Sequence, residues 1–374
     1  MKTRIAQLNQ VTQSRPYSAS KPLQILDAEL DTPKAGEVLV KILAAGVCHS
    51  DLSVINGDRP RDLPLALGHE AVGEVVDVGG QSDLKPGQRV AMVFVPSCGC
   101  CEYCDEGRPN LCEPALSAAS AGELLNGGSR IKVNRQPVRH HLGISCFSDY
   151  AVCDRRSLVA IDSDIDPSIQ AVFGCAVLTG CGSVIHTAKL EVGESVAIIG
   201  LGGVGLAAML GARAAGAKQI IAVDANPDKA AFAMAMGADH FVDARDPDAA
   251  AQIRSLSRGG VHVAAEFAGV MPAMQLAIDT TRRGGRTVTA ALPNANDRLP
   301  VDIAALVAQE RSILGSYVGS CVPSRDIPNF IELFKGGRLP VDQMITHRIG
   351  LEDINVAMER LAAGEAVRQI VVMG

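Results

Sequence analysis

The chain has 374 residues, 47% of them hydrophobic and 20% charged, a balance that excludes a disordered or collagen-like polymer and leaves room for two domain-sized cores. Its 35 basic and 41 acidic residues give a formal charge of −6 and are interspersed along the whole length, so nothing advertises a nucleic-acid partner. Residues 1–20 mix Lys2, Arg4, Asn9, Gln10 and Arg15 without an apolar core segment; no secretory signal is read there, and a cytoplasmic protein is expected. Up to about residue 175 the pattern predicts short alternating strands split by turns, at 37–44, 74–78, 89–95 and 147–152. Residues 117–128, rich in Ala, Ser and Gly, read as a surface loop. From residue 194 apolar strands alternate with alanine-rich helical stretches, the texture of a parallel sheet covered by helices. Candidate strands at 195–200, 219–224, 240–243, 262–267, 286–291 and 312–317 number six, as two mononucleotide-binding halves require. Between them, 204–215 and 227–236 consist mostly of good helix formers, with Met209, Met234 and Met236 as gap-filling core. After Tyr317 the pattern predicts one amphipathic helix near 352–363 and a last strand at 368–372. The stretch 195–212 carries no charge over 18 residues, but its five glycines fit a buried strand, a tight turn and a buried helix better than a membrane span, so no membrane association is expected.

Five of the eleven cysteines fall between Cys98 and Cys112. In a reducing compartment such a cluster indicates a metal site rather than bridges. Cys98, Cys101, Cys104 and Cys112 form a C-x2-C-x2-C-x7-C array whose four thiolates can close a tetrahedron around zinc, leaving no position for substrate; the expected role is structural, against free thiols or an iron–sulfur cluster. Cys100 falls off that spacing and reads as a non-ligand, while Cys146, Cys153, Cys181 and Cys321 read as small buried hydrophobes. Cys48, His69 and Cys175 are each unremarkable alone. Together, two thiolates and one imidazole leave a fourth zinc position open, the composition expected of an alcohol-oxidising catalytic zinc.

Gly200, Gly202, Gly203, Val204 and Gly205 lie in a G-x-G-x-x-G loop that follows an apolar strand and opens a helix, with Asp224 standing 19 residues after Gly205 at the end of the next strand. Each requirement of the dinucleotide fingerprint is met: glycines let the backbone approach the pyrophosphate, the helix N-terminus supplies donors, and the carboxylate accepts from the ribose hydroxyls. A carboxylate there repels a 2′-phosphate, so NAD is expected over NADP.

Gly68, His69 and Glu70, followed by Gly73, Gly79 and Ser82, with the cysteine array and the glycine loop in this order, resemble the zinc-containing alcohol dehydrogenases of the medium-chain dehydrogenase/reductase family. The resemblance spans nearly the whole chain. It implies an α/β architecture, a Rossmann doubly wound parallel six-stranded sheet plus a β-rich GroES-like catalytic domain, with residues 1–176 and 318–374 forming the zinc-binding catalytic domain and 177–317 the NAD-binding domain. It implies two zinc ions per chain, the catalytic one held by Cys48, His69 and Cys175, with Glu70 behind the metal, Asp51 orienting His69 and Ser50 carrying the proton. Lys229 would reach the adenosine ribose, His49 and Arg368 the pyrophosphate, and Thr179 the nicotinamide. The implied reaction transfers hydride between an alcohol, or the corresponding aldehyde or ketone, and NAD(H).

Several positions depart from the family pattern. Where many relatives carry a histidine five residues after the first cysteine ligand, this chain has Ser53, so proton release must use water, Ser53 or another group. Phe94 falls where relatives line the pocket with an aromatic ring; His140 and His141 border the same pocket, His141 replacing a usual aromatic or aliphatic residue. Residues 126–130, with Gly143, Phe147 and Ser148, resemble the subgroup that includes glutathione-dependent formaldehyde dehydrogenases. Yet no Lys or Arg lies between Glu113 and Ser129, and Arg59 stands where an acidic residue is expected, so the charge complement for the glutathione carboxylate is missing. That activity, a zinc polyol or amino-alcohol dehydrogenase, and a non-catalytic dinucleotide-binding protein are the alternatives. Retention of residues 117–142 resembles dimeric relatives and points to a symmetric homodimer.

Overall fold

The computed structural model describes residues 1–294 and 296–374, and contacts divide the chain into two compact units. The first comprises Met1–Cys175, Val322–Asn329 and Ile345–Gly374; the second comprises Ala176–Cys321 and Phe330–Met344. Residues 318–321 and 330–344 therefore gather with the second unit, whereas the sequence reading keeps everything beyond 317 with the first.

Short strands alternate with turns through the first unit: β1 (Lys2–Leu8), β2 (Leu23–Leu30), β3 (Glu37–Val47), β4 (Leu65–Ala66), β5 (Ala71–Val78), β6 (Arg89–Met92), β7 (Ile131–Val133), β8 (Gln136–His140), β9 (Tyr150–Asp154) and β10 (Leu158–Ala160). Strands β1, β2, β7, β8 and β4 close a barrel filled by Ile5, Leu30, Leu39, Ile131, Val138 and Val152. Closure removes the sheet edges that would otherwise expose unpaired backbone.

The second unit is a six-stranded parallel sheet of β11 (Ser195–Ile199), β12 (Gln219–Asp224), β13 (His240–Asp243), β14 (Val261–Glu266), β15 (Thr281–Thr289) and β16 (Ser312–Gly315). Their order, β13-β12-β11-β14-β15-β16, is the doubly wound order with its reversal at the first strand. All five residues of β11 are buried, because helices cover both faces of a parallel sheet; each such Val or Ile contributes about 1.5–3 kcal/mol by leaving water. The uncharged stretch at 195–212 resolves into β11, the glycine turn and the helix Gly203–Ala214. Among the described residues no single helix is long and apolar enough to cross a membrane.

Two late strands, β17 (Ile345–Ile349) and β18 (Arg368–Val372), return to the first unit and extend its second sheet in the order β10-β6-β5-β3-β18-β17, with β9 pairing β3 off that path. The helix Ile354–Ala363 and β18 lie where the sequence predicts them. Two expectations need correction. The tail also contains the helix Pro323–Lys335 and strand β17, which the sequence reading passes over. Of residues 117–128, expected as a loop, 117–121 belong to the helix Glu113–Ala121: Cys112 precedes it, Pro114 sits in its first turn, and Gly122 closes it at φ 70°. Its alanines are strong helix formers, and their propensity outweighs the small polar residues among them.

Candidate metal and coenzyme sites

The helix His49–Ile55 starts at Cys48, whose extended backbone (φ −124°, ψ 153°) makes it the N-cap. Asp51, in the first turn, is fully buried and accepts from the Cys48 amide at 3.3 Å and the Gly68 amide at 3.2 Å. Its Oδ1 also lies 3.1 Å from His69 Nδ1, which fixes the ring and turns Nε2 toward Cys175 Sγ at 3.7 Å. Gly68 makes this approach possible: it has φ 92°, and a Cβ there would collide with the Phe147 backbone. Ligand atoms of Cys48, His69 and Cys175 all lie within 4.8 Å of one another, and all three residues are buried. A tetrahedral zinc with bonds of about 2.3 Å to sulfur and 2.05 Å to nitrogen sets a sulfur–nitrogen edge of roughly 3.6 Å, so this donor set fits the ion.

The electrostatics agree with that fit. Burial alone would raise the Asp51 carboxyl, but the His69 charge and the donors of His141 and His69 hold it well below the usual carboxylate range. Burial opposes charge on His69 as well, yet Asp51 and the Cys48 sulfur push it up to about 10. The Cys48 thiol is held well below its ordinary value, first by the Cys175 hydrogen bond and then, against burial, by His69 and Arg368. The site therefore favours a thiolate and holds a cationic charge close to it, the role a zinc ion fills on displacing protons.

Behind this cluster, Glu70 is fully buried and forms an ion pair with Arg368, which also donates to the Val47 carbonyl at 3.2 Å. Arg368 is only 3% exposed. It lies inside the first unit against Glu70, not on a solvated surface as an unpaired charge would. His49 is exposed and Ser50 half-buried on the same short helix. The Ser53 hydroxyl donates back to the His49 carbonyl at 2.9 Å. Phe94 meets His69 edge to face, with ring centroids 5.4 Å apart.

His141 is read from the sequence as part of a polar pocket wall, and the sequence misses its partner. It is buried, its Nδ1 lies 3.1 Å from the same Asp51 oxygen that holds His69, and its ring meets His69 at 5.3 Å. One carboxylate thus faces two imidazoles. Arg130, in the segment resembling glutathione-dependent enzymes, makes a buried two-pronged ion pair with Glu37 at 2.8 and 2.5 Å, so it is tied to the start of β3.

The second cluster is local in sequence. Cys98, Cys101, Cys104 and Cys112 bring four sulfurs within 4.8 Å of one another. The Cys101–Cys104 and Cys98–Cys104 separations are 3.5 and 4.0 Å, near the roughly 3.8 Å edge of a zinc–tetrathiolate tetrahedron. All eleven cysteines are free thiols. The Cys100 backbone N–H, with the neighbouring thiols of Cys112, Cys101 and Cys100, brings Cys98 down to about 6 against burial, while burial pushes Cys112 up to about 12. Cys100 is exposed and stands outside the four-sulfur group. Cys146, Cys153, Cys181 and Cys321 are buried.

In the second unit, Gly200 (φ 92°) ends β11, and a Cβ on Gly205 would collide with the Gly200 carbonyl oxygen. A Cβ on Gly202 would meet nothing within 4 Å. The loop is thus closed on itself at two glycines and open at the third, which is where a ligand's phosphates can approach the helix N-terminus. Asp224 Oδ2 accepts from the Leu201 amide at 2.7 Å and from Lys229 Nζ at 3.0 Å, fixing the carboxylate beside the loop. Gly203 and Val204 begin the helix. Thr179 is buried in the helix Ala176–Gly182, where its carbonyl accepts from Ser183.

A chain carrying an open thiolate–imidazole donor set and a nucleotide-type sheet has the equipment of a zinc-dependent oxidoreductase. Comparison with known proteins agrees. Residues 34–163 match the alcohol dehydrogenase GroES-like domain and residues 203–336 the zinc-binding dehydrogenase family. An S-(hydroxymethyl)glutathione dehydrogenase of Synechocystis sp. is 36% identical over 360 residues, covering 95% of this chain and 97% of the relative, and one from Escherichia coli is 34% identical over the same share. Among solved structures, benzyl alcohol dehydrogenase from Acinetobacter calcoaceticus superposes with TM-score 0.93 at 27% identity over the whole of both chains. An alcohol dehydrogenase zinc-binding domain protein from Burkholderia ambifaria also reaches 0.93, at 29% identity over 100% of this chain and 99% of that one. The chain belongs to the zinc-containing alcohol dehydrogenases of the medium-chain dehydrogenase/reductase family, and it is an oxidoreductase.

Proposed function

We propose that this enzyme oxidises a small, uncharged primary alcohol to the aldehyde, or runs the reverse reduction, with NAD(H). The observation that carries the proposal is the convergence of Cys48, His69 and Cys175, with His69 held by Asp51 and faced by the apolar ring of Phe94. When bound, zinc supplies Lewis acidity at the substrate oxygen and NAD supplies the hydride acceptor. Cys48, His69 and Cys175 hold the ion on the first unit. Asp51 keeps the His69 ring in the tautomer that offers Nε2, and Glu70 balances Arg368 behind the site. Ser50 takes the hydroxyl proton and passes it to water, because Ser53 is already committed to the His49 carbonyl. The Gly200–Gly205 turn, Asp224 and Lys229 bind the adenosine half of NAD, with His49 and Arg368 toward its phosphates and Thr179 toward the nicotinamide. We also propose a symmetric homodimer acting in the cytoplasm, a reducing compartment in which cysteines persist without disulfides.

Although the curated relatives above are named for a glutathione adduct, the helix Glu113–Ala121 offers no Lys or Arg to a carboxylate, which favours an uncharged substrate here. Steady-state NADH formation with primary, secondary, aromatic and polyol alcohols, and with formaldehyde plus glutathione, tests this. Turnover is expected with primary and aromatic alcohols; an absolute requirement for glutathione would overturn the substrate reading. Like-charge repulsion at Asp224 predicts that kcat/KM with NADP falls about 10²-fold below that with NAD, and equal efficiency would overturn the coenzyme reading.

A further inference from the structure

The opposite end of the second unit's sheet carries a feature with no part in the chemistry above. A cavity of about 600 Å³ opens at the N-terminal ends of β12, β14 and β15, whereas the glycine turn lies at the C-terminal end of β11. It is lined by Lys218, Arg254, Arg258, Arg282, Arg283 and His262, and no acidic side chain lines it. Two segments contribute to it, Arg258-Gly259-Gly260 and the Arg282-Arg283 pair. Their convergence has a backbone cause: Gly260 sits at φ 128°, and a Cβ there would come 2.8 Å from the Arg282 amide nitrogen, so only glycine lets the first segment close on the second.

Ordinary structural roles account for only part of this charge. Arg254 donates to the Asp279 carbonyl at 2.6 Å, near the end of the helix Ala249–Leu256, where a cation is expected. His262 Nδ1 is engaged by Ser195 at 2.9 Å. Among the described residues, Lys218, Arg258, Arg282 and Arg283 form no ion pair. The carboxylates felt in the region are Asp279 and Glu194, and Glu194 is already paired with Arg286. In a chain of charge −6, four unopposed cations in one concavity repel each other without compensation. That repulsion registers on the neighbours: after burial, Arg254 and Arg283 depress Arg311, and Arg282 and Lys218 depress His262.

We propose that this cavity binds a small phosphate-dense anion, of the inorganic di- or triphosphate class, at a site separate from the coenzyme loop. Its volume suits a small molecule. The guanidinium forks of Arg258, Arg282 and Arg283 match phosphate oxygens in pairs. Apart from the His262 imidazole the lining is non-aromatic, so the cavity offers charge but no base-stacking surface. The confinement of the cations to one hollow on an otherwise acidic chain favours a compact anion over a nucleic acid.

Isothermal titration of the full chain with tripolyphosphate, at neutral pH and fixed ionic strength, tests the site. Saturable binding is expected, weakened about tenfold or more in Arg258→Ala/Arg282→Ala by loss of charge-assisted contacts and unchanged in Lys229→Ala, which alters the coenzyme side. The charge-retaining pair Arg258→Lys/Arg282→Lys is expected to keep most of the binding, which separates lost charge from a lost fold. Absence of saturable binding, or loss in Lys229→Ala with retention in the alanine pair, would overturn the proposal, as would equal loss in the lysine and alanine pairs.

Discussion

At the scale of single residues, buried polar groups separate into those that face the candidate zinc and those that hold the barrel. Ser50 is half-buried on the first turn of its helix, and the proposed mechanism assigns it to the first kind. Replacing it with alanine is expected to slow alcohol oxidation by roughly 10²-fold, the size of a general acid–base contribution, with the zinc content unchanged; undiminished turnover in Ser50→Ala removes it from the proton path. His140 belongs to the second kind. Its Nε2 accepts from the Arg130 amide at 3.2 Å, and burial, helped by the Arg130 charge, pushes it down to about 3. The folded state therefore keeps His140 neutral where the unfolded chain, titrating near its ordinary value of 6.5, takes up a proton. Stability is full above that unfolded value and is lost as pH falls below it, by about 2 kcal/mol between pH 7 and pH 5. Denaturation of the parent chain and of His140→Gln at both pH values checks this: the loss on acidification is expected to be smaller in the variant.

Elements position what residues cannot position alone. The turn after β11 contains two glycines that the fold requires, Gly200 and Gly205, and one, Gly202, that the proposed coenzyme reading assigns to the ligand. Gly205→Ala forces a Cβ into the Gly200 carbonyl and is expected to lower stability by about 1–3 kcal/mol, as overpacking does. Gly202→Ala meets no protein atom, so thermal denaturation is expected to be nearly unchanged while NADH affinity, read by fluorescence titration, falls. A Gly202→Ala chain that binds NADH as the parent does would show that the open side of the turn does not face the coenzyme. The segment from Cys98 to the helix Glu113–Ala121 is likewise drawn together as an element, by four sulfurs within 4.8 Å of one another.

For the molecule as a whole, the two sulfur clusters predict different consequences of losing a ligand. The parent chain is expected to hold about two zinc ions. Cys112→Ser and Cys175→Ser should each hold about one, but for different reasons. A closed four-thiolate site contributes folding free energy outright, so Cys112→Ser should lower Tm by several degrees. Cys175→Ser should keep its Tm near that of the parent and lose turnover. Metal analysis beside calorimetry checks the pair; a large Tm loss in Cys175→Ser alone would reverse the assignment of roles.

Much of this was readable before any coordinate. Strand β18 and five of the six parallel strands begin within a residue or two of where hydrophobic pattern sets them, because a strand buried on both faces must be apolar along its length, and the four-cysteine array is legible because its ligands lie on one short segment. Residues 117–121 of the helix Glu113–Ala121 are not legible as helix, because their alanines and serines give no apolar stripe. What only tertiary structure decided is which distant groups share a partner: Asp51 between His69 and His141, Glu70 against Arg368, and the Arg258-Gly259-Gly260 turn with Arg282 and Arg283 around one cavity. Those meetings join residues tens to hundreds of positions apart, and such pairings depend on how strands register and turns close, information that local propensity and motif spacing do not carry.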